Sequence, residues 1–287
     1  MKNEIITSSS NSIVKTFRAI SDNRTAMKKG LHLVEGIHSV QEYLLHAAES
    51  LECIIVAADS IERNDVLEIM GLASAASVRI HVAETRLVNS IATAKKLETC
   101  IGLGKNRIHD LNDLGKILSA DASSLFPVFV LWIHGISNPA NLGAIYRLSR
   151  AVGARTVILS GNHVFAFSPQ AVRASQGASC RVSIVSGGIE TEPVFRELHK
   201  LKIPVHATVA REGSTPWQLN LKESACLMFG PESQGLSGED VSKAQGRVTI
   251  PMVNETESLS IVQAVTAMGY EMLRQNLKGN CGVSSEK

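Results

Sequence analysis

Short apolar runs alternate with amphipathic stretches along most of the chain, and this alternation predicts an α/β fold. In the first third, residues 51–57 and 77–82 have the apolar character of strands. Residues 34–47 and 65–76 have instead the three-to-four-residue apolar spacing of helices. These four elements predict a compact α/β unit at the start of the chain.

The alternation resumes near residue 128 with strands that are more uniformly apolar. The predicted strands are 128–133, 155–159, 203–209, 225–229 and 248–250. The predicted helices are 142–152, 192–201, 240–244 and 259–277, the third with a capping serine at Ser237. Apolar runs separated by helices are typical of a mostly parallel sheet covered on both faces.

A polar stretch rich in Asp and Ser separates the two regions. We therefore predict a smaller α/β domain at 1–107, a linker at 108–126 and a second α/β domain at 127–287.

Composition places the chain among ordinary globular proteins, with 287 residues, 44% of them hydrophobic. No stretch approaches the roughly 20 uninterrupted apolar residues of a membrane span, and the polar first residues lack the apolar core of a signal peptide. Five scattered cysteines without C-x-x-C spacing indicate neither a disulfide framework nor a zinc site. We expect a cytoplasmic protein without membrane or metal partners.

The formal net charge of +2 is too small to indicate a polyanionic partner, but basic residues are concentrated near the start. Residues 1–30 contain six Lys and Arg residues against two acidic ones, and a second basic cluster lies at 95–107. Such clusters are either solvated surface or contacts to an RNA backbone, and both interpretations remain open.

Two late segments are the strongest candidates for a binding site. Residues 227–237 and 250–260 each begin as an apolar run and end in a polar loop, which predicts a small-molecule pocket at one edge of a sheet. Glu232 lies in the first loop, while Ser258 and Ser260 precede the long final helix and could be only caps. The common nucleotide-binding glycine motifs and the usual hydrolase and zinc-protease motifs are missing from the sequence.

A third candidate segment, 138–147, follows the first strand of the second region. Asn141 stands where a helix cap is expected, Gly143 permits close approach, and Arg147 lies roughly two turns after Asn141. The alternative is an ordinary cap with a surface arginine. Arg173, in a small-residue segment, belongs either to an anion-accepting turn or to close helix packing.

Taken in order, these motifs resemble those of the TrmH-like (SpoU) RNA ribose 2′-O-methyltransferases of the SPOUT superfamily. The matching residues are Asn141-x-Gly143-x-x-x-Arg147, Phe229-Gly230-x-Glu232-x-x-Gly235-Leu236, Ile250-Pro251-Met252 and Ser258-Leu259. Near the start, residues 7–15 and Leu33-Val-Glu-Gly36 look like the substrate-binding domain, similar to ribosomal protein L30e, that precedes the catalytic domain in many members.

The resemblance implies a C-terminal parallel-sheet domain with a deep trefoil knot, a homodimer, and S-adenosylmethionine as methyl donor. It implies that the donor is bound around Thr208, Gly230, Ile250, Met252, Leu259 and Ser260. RNA contacts are expected from Lys15, Arg18, Lys28, Lys29 and Arg173. Ribosomal RNA is favoured over tRNA because of the extra N-terminal domain.

The same resemblance gives Arg147 the central catalytic role, with Asn141, Glu232 and Ser258 around it. Arg147 would act either as a base or, as we prefer, as an electrostatic and positioning group, since a guanidinium is effectively always protonated. This chain has Ser260 where many members have Asn. The alternative function is a noncatalytic RNA-binding or ribosome-assembly protein that keeps the fold.

Overall fold

The computed structural model describes residues 5–93, 98–121, 127–253 and 258–277. The chain divides into two compact units. The first consists of Met1–Arg107, Asn138–Arg147 and Val164–Val182. The second consists of Ile108–Ser137, Leu148–His163 and Ser183–Lys287.

The described strands, in chain order, are β1 Leu31–Glu35, β2 Leu51–Ala57, β3 Arg79–Ala83, β4 Cys100–Lys105, β5 Ile108–Asp110, β6 Phe129–His134, β7 Thr156–Ser160, β8 Ser183–Ser186, β9 Val205–Thr208, β10 Ala225–Phe229 and β11 Gly246–Val248. The described α-helices are α1 Ser12–Ile20, α2 Asn23–Lys29, α3 Ile37–His46, α4 Asn64–Ala75, α5 Thr85–Asn89, α6 Leu114–Asp121, α7 Pro139–Val152, α8 Pro169–Ser175, α9 Glu192–Lys200, α10 Gly238–Lys243 and α11 Ile261–Asn276.

The first unit is built on a four-stranded mixed sheet in the order β1-β4-β2-β3. β4 pairs antiparallel with both β1 and β2, while β2 pairs parallel with β3. Its core combines one side of α1 with sheet residues, and Val14, Phe17 and Ile20 are completely buried there. These buried side chains anchor α1, the helix that carries Lys15 and Arg18.

The second unit is built on a seven-stranded sheet in the order β11-β9-β10-β6-β7-β8-β5. Every described pairing in it is parallel, so the predicted mostly parallel sheet is confirmed. Trp132 in β6 is fully buried and packs edge-on against Phe195 of α9, with ring centroids 4.8 Å apart. Because the strands are parallel, the loops after β9, β10 and β11 leave the same edge.

Two stretches differ from the sequence prediction. Residues 34–47 were predicted as one helix, but β1 extends to Glu35 and α3 begins only at Ile37. Gly36 between them has φ +89, a conformation that a continuous helix does not contain. Residues 108–121, predicted as linker, form β5 and α6, and Leu114 and Leu118 are buried in the core of the second unit. Aspartates and serines on the exposed side of these elements make them look like a loop in sequence.

Candidate active site

A cavity of ≈ 390 Å³ lies where the loops after β9, β10 and β11 meet the start of α11. Its size falls within the range of small-molecule sites. Seven of the predicted site residues line it: Thr208, Gly230, Glu232, Ile250, Met252, Ser258 and Leu259. The pocket predicted from the two late segments is therefore present in the second unit.

The sequence prediction missed several lining residues. Val209 and Ala210 directly follow β9, and Ser233 and Gln234 lie inside the loop after β10. Their positions next to predicted residues at strand ends were the signal that could have identified them, because lining residues of such a cavity come in consecutive loop runs.

The loop after β10 is a tight turn that requires its two glycines. The Gly235 N–H donates to the Pro231 carbonyl at 2.8 Å, and Gly235 has φ +68. A Cβ on Gly230 would lie 2.5 Å from the Gly235 carbonyl carbon and the Leu236 nitrogen. Glu232 is exposed at this turn and lines the cavity. The spacing of the glycines thus forms the turn that holds Glu232.

Backbone hydrogen bonds hold the segments after β9 and β11 together. The Val209 N–H donates to the Val248 carbonyl at 2.9 Å, and the Thr249 N–H donates to the Ser214 carbonyl at 2.9 Å. The Thr208 hydroxyl donates to the Met228 carbonyl at 2.9 Å, so its hydrogen is already used. These hydrogen bonds fix the backbone on this side of the cavity. Ile250, which follows directly, lines the cavity.

Ser260 has a different position from the other predicted cofactor residues. It is the N-cap of α11: its hydroxyl accepts from the Gln263 N–H at 3.3 Å, and the Gln263 side chain accepts from the Ser260 N–H at 3.0 Å. The described residues that line the cavity do not include Ser260. Ser258 and Leu259, just before it, do line the cavity.

The predicted segment 138–147 lies in the first unit as the beginning of α7. Asn138, not Asn141, caps this helix, since its side chain accepts from the Ala140 N–H at 2.9 Å. The sequence contained the signal, because Pro139 follows Asn138 and proline is favoured at the first helical position. Asn141 is half-buried in the first turn, and Arg147 is exposed.

Gly143 in α7 is required by close packing. A Cβ there would lie 2.3 Å from the Ala171 carbonyl oxygen and 2.6 Å from the Ala174 Cβ, both in α8. The Tyr146 hydroxyl donates to the Ala166 carbonyl at 3.2 Å, and Tyr146 is completely buried. One side of α7 is therefore fixed against residues 166–175, which leaves the helix that carries Asn141 and Arg147 little freedom.

Four of the five predicted RNA-contacting residues lie on α1 and α2, two helices in contact with each other. Lys15, Lys28 and Lys29 are exposed. Arg18 is half-buried and donates to the Ser90 hydroxyl at 2.6 Å. The cluster at 95–107 is described only in part, because Lys95 and Lys96 lie outside the described residues.

Arg173, also predicted to contact RNA, forms an ion pair with Glu35 instead of facing solvent fully. Its Nη1 lies 2.5 Å from Glu35 Oε2, and its side chain is 37% exposed. The predicted role in RNA binding stays a prediction.

Other chemistry finds little support among the described residues. They contain no group of three or more His, Cys, Asp or Glu side chains placed to hold a metal ion. Burial raises the pKa of the Cys53 thiol to about 11 and that of Cys100 to about 12, which makes both poor nucleophiles at neutral pH. None of the described helices is both long and apolar enough to cross a membrane.

Comparison with known proteins finds a family model that matches the second half of the chain. Residues 128–270 match the model of the SpoU rRNA Methylase family. The chain is 27% identical over 271 residues to an uncharacterized tRNA/rRNA methyltransferase of Synechocystis, covering 94% of this chain and 93% of the relative. It is 24% identical over 243 residues to the 23S rRNA (guanosine-2′-O-)-methyltransferase RlmB of Bordetella pertussis, covering 85% of this chain and 97% of the relative.

Solved structures share the fold along nearly the whole chain. An rRNA methyltransferase from Sinorhizobium meliloti superposes with a TM-score of 0.81 at 22% identity, covering 96% of this chain and 99% of that one. The SpoU methyltransferase AviRb from Streptomyces viridochromogenes, solved in complex with AdoMet, gives 0.78 at 19% identity, covering 94% and 100%.

Proposed function

Because the chain belongs, through residues 128–270, to the SpoU rRNA methylase family, we propose that it transfers a methyl group from S-adenosylmethionine to a ribose 2′-hydroxyl of RNA. The observation that carries the proposal is the cavity lined jointly by the loops after β9, β10 and β11 and the start of α11. Ribosomal RNA is the favoured substrate, since RlmB of Bordetella pertussis is named for 2′-O-methylation of 23S rRNA.

The cavity fits S-adenosylmethionine in size and chemistry. Phe229, Ile250 and Leu259 supply apolar surface for an adenine ring. Polar side chains, with Glu232 among them, line the cavity as well and can hydrogen-bond the ribose and amino acid parts. When bound, the cofactor would supply an electrophilic methyl group on a sulfonium, with a neutral sulfide as the leaving group. The residues proposed to hold it are Thr208, Gly230, Ile250, Met252 and Leu259.

Arg147 is the proposed catalytic residue. A guanidinium stays protonated throughout the physiological range, so Arg147 cannot readily take the proton of the 2′-hydroxyl. It acts instead on charge, by binding the target phosphate or stabilising the developing alkoxide, while the proton leaves to phosphate or water. Its exposure on α7 keeps the fork of donors available to RNA.

Three further residues complete the proposed catalytic group. Asn141 lies six residues before Arg147 on α7, where its amide can orient the arginine or the ribose. Glu232 and Ser258 line the cavity and shape the place where the ribose is held. Alignment of the hydroxyl with the methyl group is the main task in such a displacement.

The proposal includes the partners. RNA is held by the exposed basic residues of α1 and α2, since phosphate contacts of this kind supply most nonspecific affinity. We infer a cytoplasmic homodimer whose catalytic domain carries the family's trefoil knot. In support, Tyr270 within α11 and Leu277 directly after it are large apolar side chains that are 52% and 41% exposed, and a partner subunit would cover them.

Calorimetry and a methyl-transfer assay together test the proposal. The folded protein is expected to bind S-adenosylmethionine and to transfer labelled methyl groups to ribosomal RNA. Absence of cofactor binding by folded protein would favour a noncatalytic RNA-binding protein instead.

An Arg147→Lys variant tests the proposed role of the arginine. It keeps the charge but loses the bidentate geometry, so we expect kcat to fall by on the order of 100-fold with cofactor affinity unchanged. Near wild-type turnover would contradict the role given to the guanidinium.

A further inference from the structure

Glu35 is a buried carboxylate with both oxygens bonded. Its side chain is 0% exposed. Oε1 accepts from the Thr93 N–H at 2.6 Å, and Oε2 lies 2.5 Å from Arg173 Nη1. The same Nη1 donates to the Thr93 hydroxyl at 3.2 Å. A charge buried this completely is costly unless it is paired, so Glu35 and Arg173 depend on each other.

The Glu35–Arg173 ion pair holds α8 against the sheet of the first unit. Glu35 is the last residue of β1, Arg173 lies in α8, and the two elements pack against each other. Thr93 belongs to the same unit. Glu35 thus joins three segments that are far apart in sequence.

The position of α8 in turn determines the position of α7, because the two helices are closely packed. Gly143 leaves no space between the helices, since a Cβ there would lie 2.3 Å from the Ala171 carbonyl oxygen. Tyr146 is bonded to Ala166. Arg147 follows Tyr146 directly and lies one turn after Gly143. A shift of α8 would therefore shift the turn of α7 that carries Arg147.

We propose that Glu35 is a positioning residue for methyl transfer: through Arg173 it fixes α8, and through α8 it fixes the segment of α7 that carries Asn141 and Arg147. This inference rests on the proposed function. It gives the Leu33-Val-Glu-Gly36 motif a part in catalysis in addition to folding. Reacting groups displaced by about 1 Å can lose on the order of 100-fold in rate, so a remote ion pair can have a large effect.

The test compares Glu35→Gln, Arg173→Gln, their double variant and Arg173→Lys in the full-length protein. The matched control is Glu84→Gln, which removes the same charge from an ion pair with Arg86 that is also 2.5 Å long. The Glu84 carboxylate is 34% exposed, whereas that of Glu35 is fully buried. The readouts are kcat and KM for RNA, the number of S-adenosylmethionine sites per protein, and hydrogen exchange of the α7 amides.

We expect each Gln variant to lower kcat per cofactor site by about tenfold or more, with the KM for RNA changed by less than about threefold. The double variant should be no slower than the worse single variant, because both remove one interaction. Arg173→Lys should recover most of the rate, since it restores the charge. Exchange in α7 should become faster in the Gln variants and stay unchanged in Glu84→Gln.

A purely structural pair gives a different result. Activity and cofactor sites would then fall in parallel, so that kcat per site stays at the wild-type value, and this would overturn the proposal. Singles that multiply in the double variant would also overturn it. If Glu35→Gln does not fold, the proposal is tested with Arg173→Gln and Arg173→Lys, again by kcat per cofactor site and by exchange of the α7 amides. A wild-type protein that methylates no RNA would contradict the proposed function itself, and exchange in α7 would then decide whether Glu35 positions that helix.

Discussion

The Ser260 hydroxyl already accepts a hydrogen bond within the protein. It forms a reciprocal capping box with Gln263 at the start of α11. The family resemblance implies Asn at this position, and Asn is an equally good N-cap. The change to Ser therefore preserves the helix start, and the residues around it, Ser258 and Leu259, are the ones that line the cavity.

Replacing Ser260 with Ala should lower the free energy of unfolding by about 1 kcal/mol, because the cap is lost. Ser260→Asn should retain stability. Denaturant unfolding and cofactor titration of the two variants check this, and S-adenosylmethionine affinity should change little in either. A cofactor affinity that collapses in Ser260→Ala without a loss of stability would show that the hydroxyl binds the cofactor directly.

The sequence indicated which residues line the cavity better than it indicated what individual residues do. Glu232, Gly230 and Ile250 were placed at a cavity because each follows an apolar strand. The cap of α7 was assigned wrongly to Asn141, since two asparagines three residues apart are both good caps. The buried partner of Arg173 could not be predicted either, because Glu35 is 138 positions away and nothing local marks a carboxylate as buried.

At the level of elements, the turn after β10 is the most sharply constrained part of the site. Its first glycine, Gly230, lies against the backbone of the last, and the hydrogen bond from Gly235 to Pro231 closes the turn. Cavity shape on this side is therefore set by backbone packing. A side chain larger than hydrogen at Gly230 must open the turn.

Gly230→Ala should weaken S-adenosylmethionine binding by on the order of tenfold or more, because overpacking of this kind typically costs 1–3 kcal/mol. Gly238→Ala is the matched control, since a Cβ there meets nothing within 4 Å. Calorimetry on both variants measures the effect. Equal affinities for the two variants would show that this turn is not part of the cofactor site.

Element types were predictable where the apolar pattern was strong. The central strands β6, β7 and β10 of the second unit are buried along almost their whole length, so continuous apolar runs identified them. The short strand β5 was predicted as linker, because its sequence Ile-His-Asp contains a single apolar residue and no apolar run. The break between β1 and α3 depends on the positive φ of Gly36, which apolar periodicity does not report.

At the scale of the molecule, the sequence predicted the fold class but not the path of the chain. Parallel strands with similar apolar runs are compatible with many orders, and the order with β11 at one edge and β5 at the other is not encoded locally. The grouping of 138–147 and 164–182 with the N-terminal residues was also not predicted, because it depends on tertiary contacts.

The first unit should lose stability in mild acid. Burial lowers the pKa of His32 to about 4, from an ordinary value of 6.5. Between these values the unfolded chain binds more protons, so acidification favours unfolding. From pH 7.5 to pH 5 the loss attributable to His32 should be about 2 kcal/mol.

Denaturant unfolding of the first unit at the two pH values measures this loss. His32→Gln should show a smaller pH dependence by that amount. His38→Gln, at an exposed histidine of the same unit, is the matched control. Identical pH dependence in wild type and His32→Gln would contradict a buried neutral imidazole at this position.

Methylation of ribose in RNA by this chain is proposed to require Arg147. Mapping 2′-O-methyl groups in RNA tests it, using cells with the gene, without it, and with the Arg147→Ala form. We expect at least one ribose methyl group, in ribosomal RNA, that is present in the first and missing from the other two. The same set of 2′-O-methyl groups in all three would contradict it.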